Sequence, residues 1–319
     1  MAEVNMQQKL KEIVLEIKKS IIGKDDIICK MMMAILAQGH ILLEDIPGVG
    51  KTTLALSFSK AMSLQHKRLQ FTSDVMPSDV TGFSIYNRET GTLDYKPGAA
   101  LCNLFLADEI NRASSKTQSA LLEVMEEGNI TVDGTTRPAP KPYVVIATQN
   151  PLGFAGTQTL PESQLDRFMV CLSMGYPGLE EEVEIMKSRR EQDPLDFICP
   201  VASAQDICDL QRMAGNVYLS DAVYRYIARL SAATRENEWI RLGLSPRGSM
   251  ALAKMTKAAA FLAGRDYALP KDVQLIFPDV ARHRIVLSTH AKIGTVKLDS
   301  LLGEIVKSVP APSLVKGKE

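Results

Sequence analysis

A chain of 319 residues has room for one large domain and a smaller one, each with a buried core. Lys plus Arg and Asp plus Glu balance at 37 each, which excludes a general electrostatic drive toward nucleic acid or an anionic membrane and leaves only local basic patches open. The five cysteines (Cys29, Cys102, Cys171, Cys199, Cys208) form no CxxC pair, and the four histidines (His40, His66, His283, His290) have no metal-ligand spacing, so reduced, buried thiols and no His/Cys metal centre are expected.

At the amino terminus Met6, Leu10, Ile13, Val14, Ile17 and Ile21 recur at helical spacing between charges, an amphipathic helix rather than an export signal. No apolar run approaches the ~20 residues that span a bilayer, so no membrane span and a cytoplasmic location are expected. Apolar runs at 40–43, 68–71, 103–107, 143–147 and 169–172 read as strands, and segments 51–62, 116–127 and 162–167 read as helices. Strands alternating with helices predict an α/β fold with a parallel sheet covered on both faces. Segments 84–93, with Asn87 and Gly91, and 129–138, with the turn pair Asp133-Gly134, read as β-hairpins interrupting that core. After Pro177 and Gly178 helical periodicity dominates, as at 222–233 and 249–262. The expected division is an α/β core over 1–190 and a smaller all-helical domain over 191–319.

Between the first strand and the helix that follows stands Asp45-Ile46-Pro47-Gly48-Val49-Gly50-Lys51-Thr52. Backbone N–H groups of such a loop and of a helix N-terminus together surround an anion. Gly48 and Gly50 let the backbone approach phosphate, Lys51 reaches the β- and γ-phosphates, the Thr52 hydroxyl can hold Mg²⁺, and Thr53 continues the helix start. The usual GxxxxGK[ST] pattern departs at its first position, which is Asp45 instead of Gly. The strand at 103–107 runs into Asp108-Glu109, two carboxylates at a C-terminal strand edge, where α/β ligand sites form. Asp108 would hold Mg²⁺ and Glu109 would polarise an attacking water. Activated water would waste ATP in a metabolite kinase, so hydrolysis is the favoured chemistry.

In residues 42–52, in Asp108-Glu109-Ile110-Asn111-Arg112-Ala113 and in Leu160-Pro161-Glu162-Ser163-Gln164-Leu165-Asp166-Arg167-Phe168, the chain resembles the AAA+ ATPases, and more closely the MoxR family. The likeness covers residues 7–310, and Asp at the first loop position is similar to that family's habit. The resemblance implies a P-loop NTPase core in which 84–93 is the helix-2 insert and 129–138 the pre-sensor-1 insert, followed by a helical lid. It implies ATP and Mg²⁺ as cofactors. Asn150 takes the place of sensor 1, orienting the lytic water; a strand-end Asn that starts a turn before Pro151 is the alternative. Arg167 is similar to the arginine finger that reaches a neighbouring subunit's γ-phosphate; a surface Arg paired with Glu162 or Asp166 is the alternative. Arg247 resembles sensor 2. Ser245 can cap its helix and Pro246 suits the first position, so Arg247 lies in the first turn, where its charge opposes the helix dipole unless it faces phosphate. Ile22 and Gly23, with Lys24, resemble the N-terminal box that packs on adenine, although Ile22 could equally serve a core.

The resemblance further implies a ring, commonly a hexamer, that acts on protein clients, with a von Willebrand A domain protein as partner. Two other readings stay open. A nucleic-acid-dependent motor would be expected to carry more basic hairpin tips than Arg88 and Arg137 beside Asp94 and Asp133, so no nucleic-acid partner is expected. A non-catalytic ATP switch would be expected to lack some of the catalytic positions, and all are filled.

Overall fold

The protein is described from a computed structural model, in which residues 2–46, 48–150, 160–188 and 193–312 are described. Two helices, α1 (Ala2–Lys18) and α2 (Asp25–Leu36), precede β1 (Ile41–Glu44), α3 (Lys51–Ala61), β2 (His66–Gln70) and α4 (Pro77–Thr81). A hairpin of β3 (Gly82–Asn87) and β4 (Thr92–Pro97) leads to β5 (Leu104–Asp108) and α5 (Ser115–Glu127). A second hairpin, β6 (Asn129–Val132) and β7 (Thr135–Pro138), precedes β8 (Val144–Gln149), α6 (Glu162–Leu165), β9 (Val170–Leu172) and α7 (Leu179–Ser188). The helical part comprises α8 (Ala204–Gly215), α9 (Asp221–Glu236), β10 (Ile240–Leu242), α10 (Pro246–Leu262), α11 (Pro270–Ala281), β11 (Val286–Leu287), α12 (Thr289–Ile293) and α13 (Leu298–Ser308).

All five runs read as strands join one parallel sheet of order β2-β5-β8-β1-β9. Strands buried on both faces need apolar side chains in both directions, and β1, β5 and β8 supply them. Successive side chains alternate across the sheet. Ile41, Leu43, Leu104, Leu106, Val144, Ile146, Val170 and Leu172 belong to one cluster with α1, α2 and α3, while Leu42, Phe105, Ala107, Val145, Ala147 and Cys171 belong to a second on the α5 side. Each fully buried Leu, Ile, Val or Phe among them contributes about 1.5–3 kcal/mol of transfer free energy.

The first cluster does not stop at the sheet. It runs through α2 into α8, α10 and α11, so Met31, Met32, Leu210, Leu252, Phe277 and the strand residues share one apolar interior. The expected boundary at 190/191 falls at residues 189–192, outside the described residues. The lid is helical with one addition that periodicity did not reveal, the antiparallel pair β10–β11, whose strands of 3 and 2 residues are too short to carry a pattern.

Both hairpins are present. The first extends to Gly82 and Pro97, beyond the 84–93 read from sequence, and the second turns at Asp133 and Gly134 with φ of +50° and +71°. All five cysteines are free; Cys102 and Cys171 are buried, but Cys199 is exposed, contrary to the expectation of burial.

Candidate functional site

The loop after β1 is shaped for an anion. Gly48 and Gly50 have φ of +87° and +92°, conformations that strain any residue with a Cβ, and Gly50 is the residue from which α3 starts. The N–H groups of the first turn of α3, which carries Lys51, Thr52 and Thr53, therefore open onto the space beyond the C-terminal ends of the strands. Val49 and Thr53 also line the adjoining cleft, and Pro47 lies outside the described residues. The Lys51 ammonium folds across the loop, donating to the carbonyls of Asp45 (2.7 Å) and Ile46 (3.2 Å). Burial pushes its pKa below the ordinary lysine range, opposed by the carboxylates of Asp45, Asp108 and Glu109, so these are its electrostatic neighbours.

Because β8 lies between β1 and β5, its end stands between the loop and the acidic pair. The Thr148 hydroxyl donates to Asp108 Oδ1 (3.2 Å) and accepts from the Glu109 N–H (2.9 Å), fixing both residues. Asp108 is 5 % exposed and takes a second bond from Arg68 Nε at 2.7 Å. Glu109 has φ +57°, a left-handed conformation that costs a non-glycine residue about 1–3 kcal/mol and recurs at reacting centres. Its carboxylate is held by Arg112 Nη1 at 2.7 Å. Asn111 Nδ2 donates to the Asn150 carbonyl (3.2 Å), while Asn111 Oδ1 is buried without a partner. Arg68, Arg112 and Thr148 escaped the sequence reading. Arg112 was within reach, three residues after Glu109, but Arg68 meets Asp108 only through the β2–β5 pairing.

The donors suit Mg²⁺. Among the described residues no group of three or more His, Cys, Asp or Glu side chains could hold a metal by itself. A hard, hydrated cation that shares its shell with phosphates needs only one or two protein ligands, and the hydroxyl of Thr52 and the carboxylate of Asp108 are of that kind.

Beside the loop opens a cleft of about 310 Å³, lined among others by Ile22, Val49, Gly50, Met174, Tyr176 and Met186. Gly23 does not line it. Its φ is +73°, and a Cβ there would meet the Glu181 carboxylate at 2.0 Å, so this glycine lets α7 close over the α1–α2 turn.

The two arginines lie elsewhere. Arg167 Nη2 and Arg247 Nη1 both reach the Glu126 carboxylate, at 3.1 and 3.0 Å, in a second cleft that also holds His40, Met169 and Arg284. His40 and Met169 immediately precede β1 and β9, which puts this cleft at the N-terminal edge of the sheet, opposite the phosphate loop. Arg167 thus pairs with Glu126, not with Glu162 or Asp166, and Arg247 does not face its own chain's phosphate loop. Glu126 joins the two, and Asp166 ties the segments beside them together. Its Oδ1 accepts from Arg284 Nε (2.7 Å) and its Oδ2 from Ser245 Oγ (2.8 Å), and Ser245 also caps α10 by accepting from the Gly248 N–H at 3.0 Å. Arg284, 4 % exposed, donates further to the carbonyls of Phe168 and Met169. Nearby, the His40 Nδ1 accepts from the Val145 N–H (3.0 Å), so its Nε2 carries the proton and donates to the Met125 carbonyl at 2.9 Å. Burial pushes its pKa down to about 4, Arg247 adding to the effect and the bond to Met125 opposing it.

A phosphate loop, paired carboxylates at a strand end, two inserted hairpins and a helical lid define a P-loop ATPase of the AAA+ class. The ATPase family associated with various cellular activities (AAA) matches residues 40–170, and the AAA lid domain matches 232–300. The chain is 45% identical to the Bacillus subtilis protein YeaC over 93% of its own length and 92% of that protein's, and 37% identical to the chaperone MoxR1 of Mycobacterium tuberculosis over 96% and 83%. The crystal structure of a Cytophaga hutchinsonii protein, provisionally named an ATPase, superposes with a TM-score of 0.90 at 35% identity, covering 98% of this chain and 97% of that one. An MCM homologue from Methanopyrus kandleri, 15% identical, shares the fold with a TM-score of 0.61, covering 89% of this chain and 62% of its own. The chain belongs to the MoxR family of AAA+ ATPases.

Proposed function

We propose that this protein hydrolyses ATP in a ring of identical subunits, a hexamer by the family resemblance, and uses the energy to remodel or mature protein complexes in the cytoplasm. The observation that carries the reading is the placement of Arg167 and Arg247 at the edge of the sheet opposite Lys51 and Glu109. One chain holds the phosphate loop and the carboxylates on one side and Arg167 and Arg247 on the other, so in this reading a neighbour supplies these two arginines.

In this reading the loop N–H groups and Lys51 bind the phosphates, and Ile22 packs on the base in the adjoining cleft. Thr52 and Asp108 would hold Mg²⁺, which would supply positive charge to the phosphates. Glu109, once released from Arg112, accepts a proton from the attacking water, which Asn150 helps to orient. The guanidinium of Arg167, with Arg247 beside it, stabilises the negative charge that gathers on the neighbour's γ-phosphate.

A protein client is supported by the first hairpin, which exposes Phe83, Ile85, Tyr86 and Leu93, side chains suited to grip polypeptide rather than a polyanion. The von Willebrand A partner rests on the family resemblance alone. The test is turnover per chain measured against protein concentration, alongside the mass of the assembly with and without nucleotide. Activity should rise with assembly, and a monomer with full, concentration-independent turnover would sink the reading.

A further inference from the structure

The first position of the phosphate loop, where the common pattern has glycine, carries a buried carboxylate that none of the roles above uses. Asp45 is 6 % exposed, and its carboxylate accepts four hydrogen bonds. Its Oδ1 accepts from the Ile46 N–H at 3.0 Å, within the loop. Its Oδ2 accepts from Ser173 Oγ (3.2 Å), the Met174 N–H (2.5 Å) and the Gly175 N–H (2.8 Å), all on the segment that leaves β9. A carboxylate taking several backbone N–H groups in a buried place is a strong, geometrically demanding acceptor. The segment it grips turns at Gly175, φ +62°, and continues through Tyr176 and Pro177.

Met174, Tyr176 and Pro177 form one wall of the cleft beside the loop, with Ile22, Val49 and Gly50 opposite. The two walls are close: a Cβ on Gly50 would lie 3.9 Å from Met174 Cε. Further along, Lys24 Nζ donates to the Tyr176 carbonyl at 3.0 Å and closes the same wall onto the α1–α2 turn.

We infer that Asp45 is a positioning residue that clamps the Ser173–Gly175 segment to the phosphate loop and so sets the width of the base-binding cleft relative to the phosphate site. A glycine at this position could form the loop but could not hold the far wall. The inference rests on the reading of this cleft as the nucleotide site, and its ligand is the base and sugar of a nucleoside triphosphate, not the phosphate chain. Asp45 touches no reacting atom, so its contribution appears in binding.

The experiment compares wild type, Asp45→Gly and Asp45→Asn by calorimetric titration with a non-hydrolysable ATP analogue and, separately, with inorganic tripolyphosphate, both with Mg²⁺. Asp45→Gly should weaken the analogue at least tenfold and leave tripolyphosphate within twofold of wild type. In steady-state turnover KM should rise by a similar factor while kcat falls less than threefold. Asp45→Asn keeps one carbonyl for the Met174 and Gly175 N–H groups and should lose about threefold. Should Asp45→Gly fail to fold, Asp45→Asn and Ser173→Ala read the same split between the two ligands. An equal loss for both ligands would mean that Asp45 only shapes the phosphate loop, and no loss for either would mean that it positions nothing; either result overturns the inference. Wild-type protein that binds tripolyphosphate but not the analogue overturns the nucleotide reading itself, and the inference with it.

Discussion

The two edges of the central sheet carry opposite chemistry. At the C-terminal edge, Gly48, Gly50 and Lys51 make an anion receptor beside two carboxylates, Asp108 and Glu109, that are each paired to an arginine of their own chain. At the N-terminal edge, Arg167 and Arg247 share the single carboxylate of Glu126. β1 runs between the edges for 4 residues, roughly 13 Å of strand at about 3.3 Å each. In the proposed reading neither edge is sufficient: among the described residues the arginines at the first, Arg68 and Arg112, are engaged by its own carboxylates, and Arg167 and Arg247 stand at the second. The difference supports the proposed reading, in which the catalytic unit is a junction between copies of the chain.

The comparison breaks most directly at Arg167. Arg167→Ala should lower turnover by roughly 10³–10⁵-fold, the range of trans-acting arginines in phosphoryl transfer, and leave nucleotide affinity nearly intact. A variant that turns over like wild type removes the N-terminal edge from catalysis. At the other edge, Glu109→Gln should retain ATP binding and lose about 10²–10⁴-fold in turnover, the usual contribution of a general base, in a single-turnover assay. Mixing the two inactive variants should restore part of the activity, because some junctions then join an intact Glu109 to an intact Arg167; mixed rings demonstrated by mass without recovered activity would sink the junction. Lys51→Ala, by contrast, should weaken binding itself in a direct titration.

Two smaller effects sharpen the contrast. His40 is kept neutral at the N-terminal edge, with its pKa lowered from the usual 6.5 to about 4. The folded pKa lies below the unfolded one, so the unfolded chain takes up the proton first as pH falls. Stability is therefore full above about pH 6.5 and declines toward pH 4, by about 3 kcal/mol for this group, which denaturant unfolding across that range will read. His40→Gln should flatten that slope. The smallest effect belongs to Glu126. Its pairs with Arg167 and Arg247 involve side chains between 29% and 41% exposed, so Glu126→Gln should cost less than about 1 kcal/mol of stability in the same measurement.

Much of this was legible in the residues. The strands around Leu42, Phe105, Val145 and Val170 announce themselves because a doubly covered parallel strand is a continuous apolar run, and the phosphate loop because its glycines, lysine and threonine each have one physical duty. The turn at Asp133-Gly134 and the cap at Ser245 are likewise local chemistry. What stayed hidden depends on distant parts of the chain meeting. Arg247, read as resembling sensor 2, pairs within its own chain with Glu126 of α5; no spacing encodes an approach across 121 residues between Glu126 and Arg247. The bond from Arg68 to Asp108 spans 40 residues, and Asp45 finds its partners 128 to 130 residues away, so its carboxylate looked like a departure from a pattern when it is a fastening.

The buried guanidinium of Arg284 also has a mechanical meaning. It enters the sheet edge from the lid, grips Asp166 and the carbonyls of Phe168 and Met169, and passes where Gly248 leaves space, since a Cβ there would lie 2.9 Å from its Cδ. With a shared apolar interior behind it, this rivet is expected to stiffen the lid against its own core, because free swinging is expected only where the contact is small and wet. If the ring reading holds, motion that follows ATP cleavage is expected at the next joint along, where one chain turns against another.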